Sequence, residues 1–250
     1  MKTAARLAAF AVLFFASAGH LRAAEITVLC SNGLKAVAEE LVPQFERATG
    51  HTVAVRFDLA AVLKREIEAG ARFDVAILTP VAIDDLVKQG HLAAASRTAI
   101  ARSGLGIAIR TGGRKHDIST VDAFKRALGD ARSIAFAREG ASGVAFAALL
   151  EKLGLADTLR PKLQLTGGAD EVGQRVAGGT AELGVLPVSE ILPIRGAELL
   201  GTFPAGIQSY IEMVGGVSAR ASQPDAARAL LRFLTAPAAL PVVTAKGMER

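Results

Sequence analysis

Ile26-Thr27-Val28-Leu29-Cys30 running into Ser31-Asn32-Gly33 is the stretch from which the fold can be read. A short run of β-branched and apolar residues stops at small polar ones. Leu34, Val37, Ala38, Leu41 and Phe45 then keep the i, i+3, i+4, i+7 spacing of a helix with one apolar face, closed by Gly50. The same grammar returns at Val53-Ala54-Val55-Arg56-Phe57 into Asp58 to Val62, and at Ser133-Ile134-Ala135-Phe136-Ala137 into Gly140-Ala141-Ser142-Gly143. Strand into helix, repeated, specifies a mostly parallel sheet with helices on its faces.

The alternation continues along the chain. Strands are predicted over Asp74 to Leu78, Gly104 to Ile109, Leu163 to Leu165, Leu183 to Leu186, Leu199 to Phe203 and Tyr210 to Val217. Helices are predicted over Val62 to Glu68, Ile83 to Lys88, Val121 to Leu128, Gly143 to Leu153, Glu171 to Ala177, Pro224 to Leu234 and Pro237 to Ala245. The expected fold class is α/β with two lobes, each a mostly parallel sheet flanked by helices, joined by a hinge of two crossovers. Lobe I takes residues 25–103 plus 215–250 and lobe II residues 104–214, the chain crossing just before Gly104 and again around Ser209 to Gly215. At 250 residues and 51% hydrophobic the chain suffices for cores in both. Ligands of such sheets sit in the cleft at the strand C-termini.

Residues 1–24 read as a secretion leader. Met1-Lys2 and Arg6 give the positive start, Leu7 to Phe15 is apolar, and Ala16-Ser17-Ala18 is an A-x-A cleavage pattern. Cleavage is expected between Ala18 and Ala24, and the apolar run is shorter than the roughly 20 residues a bilayer span needs. A periplasmic location follows as an expectation. The formal charge of +5 falls to +2 once Lys2, Arg6 and Arg22 leave, and no Lys/Arg block remains to face a nucleic acid. The lone Cys30 has no internal disulfide partner and reads as a buried thiol at a strand end.

Helix N-termini carry unpaired N–H groups and a partial positive charge, so several facing one cleft receive an anion without a catalytic side chain. Candidate contacts are Ser31, Asn32 and Gly33 at the first junction, Ala60 and Ala61 at the second, and Ser142 with Arg138 at the third. Each has a plainer alternative. Ser31, Asn32 and Ser142 also suit helix caps, Arg138 also suits pairing with Glu139, and Asp58 is either an N-cap or a carboxylate facing the cleft. Tyr210 reads as a packing residue.

Catalytic signatures are weak. Gly140-Ala141-Ser142-Gly143-Val144 departs from the G-x-S-x-G elbow at its last position, and His20, His51, His91 and His116 all precede Ser142, so the downstream acid-then-His order of a serine hydrolase is missing. Gly104-Leu105-Gly106 lacks the third glycine of a dinucleotide fingerprint, and the scattered His and Cys have no metal-ligand spacing. Neither cofactor nor metal is expected, and the chain is not read as an enzyme.

With its residues laid out this way, the chain resembles the periplasmic molybdate-binding proteins of ABC importers. The resemblance rests on Ile26-Thr27-Val28, Gln44-Phe45-Glu46-Arg47-Ala48-Thr49-Gly50, Leu63 to Gly70 with Asp74-Val75-Ala76-Ile77, Leu149 to Gly154, and Glu182-Leu183-Gly184-Val185-Leu186. It implies the type II solute-binding fold, a tetrahedral oxyanion as ligand, and a membrane permease as partner to a single copy of the chain. It also implies pocket positions at Gly33, Ala60-Ala61, Ser142, near Val172, and at Pro187, which stands where the family has a tyrosine. At least three hydroxyl donors of the family pocket are missing. The resemblance thus points to a molybdate-like oxyanion and the residues themselves to a small organic carboxylate. A ligand-sensing adaptor for a receptor is the alternative on the same fold.

Overall fold

The computed structural model describes residues 23–250. The leader expected from the sequence lies outside the described residues except for Ala23 and Ala24. Ala24 is already part of the fold: it is buried, its N–H donates to His51 Nδ1 at 3.1 Å, and its carbonyl accepts from Thr52 N–H at 2.9 Å.

In chain order the elements are β1 (Glu25–Ser31), α1 (Lys35–Thr49), β2 (Thr52–Asp58), α2 (Ala60–Glu68), β3 (Val75–Leu78), α3 (Pro80–Lys88), β4 (Thr98–Arg110), α4 (Val121–Asp130), β5 (Ile134–Ala137) and α5 (Ala141–Lys152). There follow α6 (Ala156–Leu159), β6 (Leu163–Thr166), α7 (Ala169–Ala177), β7 (Leu183–Pro187), α8 (Val188–Ile191), β8 (Ala197–Thr202), β9 (Tyr210–Val217), α9 (Pro224–Thr235) and α10 (Leu240–Ala245). Helix starts depart most from the sequence pattern. α5 begins at Ala141 with Gly140 as its N-cap, so Ser142 lies inside the first turn and is not a cap. α2 has Leu59 as its N-cap, and Asp58 instead accepts from the Leu59 N–H at 2.7 Å and pairs with Arg56 at 3.0 Å. The last predicted helix opens as a 3-10 turn over Pro237–Ala239.

The strands form one continuous path in the order β2-β1-β3-β9-β4-β7-β5-β6, with β8 beside β4. β1 is parallel to β2 and β3, and β5 is parallel to β6 and β7. β4 is the element that joins the two halves. Its first half, up to Gly104 opposite Tyr210, pairs antiparallel with β9, and from Leu105 opposite Pro187 onward it pairs with β7 and β8. β9 pairs with β4 from Tyr210 and with β3 from Val214, so the chain rejoins the first parallel set midway along that strand. Arg102 lies over the Tyr210 ring at 4.5 Å, which gives the half-exposed tyrosine a cation contact.

β3 and β7 are buried along their whole length, as expected of strands covered on both faces. α2 and α3 set Leu63, Ile67, Ile83 and Leu86 against Leu29 and Leu78, and α7 sets Val172 and Val176 against Ala108, Leu186 and Ile191. A larger apolar cluster extends from Ile26 and Phe45 through Ile211 and Met213 to Phe124 and Phe146. The N-terminal ends of β3 and β7 are fastened by carboxylates. Buried Asp74 accepts from the N–H groups of Thr27 (2.9 Å), Ser222 (2.6 Å) and Gln223 (3.1 Å). Glu182 accepts from the Arg132 N–H and guanidinium and meets His116 Nε2 at 3.0 Å.

Candidate functional site

The opposite ends of the same strands open into a cleft of about 360 Å³. Ser31 ends β1, Leu59 follows β2, Thr79 follows β3, Ala137 ends β5 and Pro187 ends β7, and all five line it. Ile211 and Met213 of β9 line it as well. The helices that start there are α2, α3, α5 and, through Ala169, α7, and none of the four has a side-chain hydrogen bond at its N-cap. Their first backbone-to-backbone turns close only at Leu63, Ile83, Val144 and Val172, which leaves the preceding N–H groups without a partner inside the helix.

α5 reaches the cleft because of a glycine. A Cβ on Gly143 would lie 1.8 Å from the Ala137 carbonyl oxygen, so only glycine lets the first turn of the helix press against the end of β5. That approach puts the buried Ser142 at the cleft.

Of the candidates read from the sequence, Ser31, Asn32, Ala60, Ala61, Ser142 and Pro187 come together here. Three others do not line the cleft. Gly33 lies just behind it, packed near Met213, with its carbonyl accepting from Ser189 Oγ at 3.1 Å. Val172 is fully buried in the core under α7, and its N–H is used by the Gly168 carbonyl at 3.2 Å. Arg138 is exposed and lines a neighbouring pocket with Val62, Leu165 and Gly167. The Cys30 thiol is fully buried and pushed well up by desolvation, so it stays neutral.

Charge in the cleft comes from residues that spacing alone missed. Lys64 lies 2.6 Å from Glu68 and 3.9 Å from Asp85, and Glu139 meets Arg65 at 3.5 Å. Glu190 of α8 also lines the cleft and has no such partner; burial, with the nearby Asp170 charge, pushes its carboxyl up to about 7. The signal for Glu190 was present as a further strand-to-helix junction, Leu186-Pro187-Val188-Ser189-Glu190. The arrangement can hold an anion on main-chain donors against Leu59, Val81, Val144, Ile211 and Met213, with one carboxyl able to gain or lose a proton near neutral pH.

One long strand, β4, that pairs with β9 in the first half and with β7 and β8 in the second, with a cleft at the strand C-termini, defines a type II periplasmic solute-binding fold. Residues 26–249 match the bacterial extracellular solute-binding protein family, and the chain belongs to it. It is 32% identical over 234 residues to a Pseudomonas protein named aconitate isomerase, covering 90% of this chain and 87% of that one. It is 29% identical over 238 residues to the molybdate-binding protein ModA of Azotobacter vinelandii, covering 90% of each. Among solved structures, the Azotobacter vinelandii periplasmic molybdate-binding protein superposes with a TM-score of 0.77 at 21% identity, over 90% of this chain and 99% of that one.

Proposed function

We propose that this chain is a periplasmic binding protein that captures a small organic polycarboxylate in the cleft and presents it to the permease of an ABC importer. The observation that carries this reading is the convergence of four helix starts without side-chain caps on one largely apolar cleft. Main-chain N–H groups and helix dipoles hold a carboxylate well. Apolar walls suit a carbon skeleton better than a compact, doubly charged oxyanion, which needs a donor for every oxygen. The name of the Pseudomonas relative, aconitate isomerase, points to the same ligand chemistry.

In this reading lobe I holds β1 to β3, β9 and the C-terminal helices, lobe II holds β5 to β8, and β4 with β9 forms the hinge, the return to lobe I falling at Tyr210. Closure follows from tighter ligand binding in the closed state. A second reading, in which the bound acid is also isomerised, is favoured by Glu190 and by the relative's name.

A thermal-shift panel of cis- and trans-aconitate, citrate, molybdate, tungstate and sulfate tests the ligand class. A bound ligand at 100 times Kd adds about 2.7 kcal/mol of stability. Shifts with the carboxylates alone support the reading, and a shift with molybdate alone overturns it in favour of the oxyanion.

A further inference from the structure

Three carboxylates line the cleft, and they differ in what they touch. Asp85 lies 3.9 Å from Lys64 and 3.8 Å from Lys88, and Glu139 lies 3.5 Å from Arg65. Glu190 has neither a hydrogen bond nor an ion pair among the described residues. It stands in the wall between the cleft and a second cavity of about 520 Å³, to which Asn32 and Ala169 also belong. On the far side the charged groups are Lys35 and Glu39 of α1, Asp170 of α7, and Arg195; on the cleft side they are Lys64, Asp85 and Glu139. A carboxyl left without a partner, half-buried beside uncapped helix starts, has a stability cost and no structural contact to offset it.

We propose that Glu190 is the proton carrier of the cleft, removing a proton from the saturated carbon between a carboxylate and the double bond of a bound unsaturated polycarboxylate and returning it to the far carbon of that allylic unit. This rests on the reading of the cleft as a site for organic carboxylates. The C–H bond breaks, its electron pair enters the allylic system, and the double bond moves one carbon along as the same proton forms the new C–H bond. The reaction is an isomerisation without net redox change or a co-reactant. Charge that develops on the carboxylate next to the reacting carbon is met by N–H groups at the starts of α2 and α5, the same groups that hold the ground-state anion. A base whose protonation is balanced near neutral pH, as burial makes Glu190, is suited to both halves of the transfer.

The test follows trans- and cis-aconitate by proton NMR in D2O with wild type and Glu190→Gln, alongside calorimetric binding of each. Interconversion is expected in wild type, with deuterium entering the new C–H bond only to the extent that the Glu190 carboxyl exchanges with solvent between the two transfers. In Glu190→Gln, turnover should fall at least about 100-fold, within the range for loss of a general acid–base group, while affinity stays within about threefold. Binding by wild type without interconversion overturns the proposal and leaves the binding reading standing, whereas no binding of either isomer overturns both. Turnover of Glu190→Gln within tenfold of wild type also overturns it. A separate variant, Asp170→Asn, removes the charge that helps raise Glu190 and should move the lower limb of the pH–rate profile to lower pH. An unmoved limb contradicts Glu190 as the base even if Glu190→Gln does not fold.

Discussion

The two ends of β3 and β7 are built on opposite principles. At their N-terminal ends, Asp74 and Glu182 gather backbone N–H groups and basic side chains from distant parts of the chain, so that polar groups there meet protein partners. At their C-terminal ends, and at that of β5, short junctions lead into helices whose N-caps make no side-chain hydrogen bond. α4, which does not line the cleft, is the one described helix whose N-cap side chain bonds its first turn, Thr120 Oγ1 accepting from Ala123 N–H at 3.1 Å. One end fastens the fold, and the other, in the reading proposed above, is left for a ligand to complete.

That contrast can be broken residue by residue. Asp74→Ala leaves three backbone donors without their acceptor, and urea unfolding should record a loss of about 3 kcal/mol or more, with ligand affinity unchanged in the folded fraction. Glu182→Gln should cost on the order of 2 kcal/mol at pH 7. Burial pushes the Glu182 carboxyl up, but the Arg132 N–H, His116 and the Arg132 guanidinium outweigh it and hold the carboxyl at about 2. Because the folded-state value lies below the unfolded one, that stability is present above the ordinary carboxylate range and disappears as pH falls toward 2. Unfolding curves of wild type and Glu182→Gln should therefore converge in acid.

Smaller effects separate the two ends more sharply. Thr120→Ala removes the cap of α4 and should cost about 1 kcal/mol without touching ligand binding. Ala141→Asp places a carboxylate at the uncapped start of α5, and the unliganded protein should gain about 0.5 kcal/mol while its ligand-induced thermal shift is lost. Glu190→Gln should leave stability unchanged near pH 4 and raise it above pH 7. The wild-type carboxyl is pushed up to about 7 in the folded state, so it destabilises the fold increasingly as pH rises from the ordinary carboxylate value.

The fold was legible in the sequence because its signals are local. The Leu34 to Phe45 spacing and the left-handed Gly50 give α1, and the unbroken apolar run Val75-Ala76-Ile77-Leu78 gives β3. β4 was only half legible: its first half, Thr98 to Ser103, mixes small and polar residues and is a strand because β9 pairs with it. Site residues at a strand end or within a few residues of one, such as Ser31, Ala61, Ser142 and Pro187, were legible for the same reason. Arg138 was not, since a long side chain at a junction can turn to either pocket, and Val172 was not, since one turn of helix carries it from the cleft into the core. Asp74 and Glu182 depend on partners that only the folded chain supplies.

The most direct test of main-chain capture is amide NMR of the 15N-labelled protein titrated with trans-aconitate, citrate and molybdate. The account predicts that at least one carboxylate shifts the Ala60, Ala61, Ala141 and Ser142 amides to saturation, while Ala123, already bonded to Thr120, does not move. Saturable binding that leaves those four amides in place, or a response to molybdate alone, would contradict it.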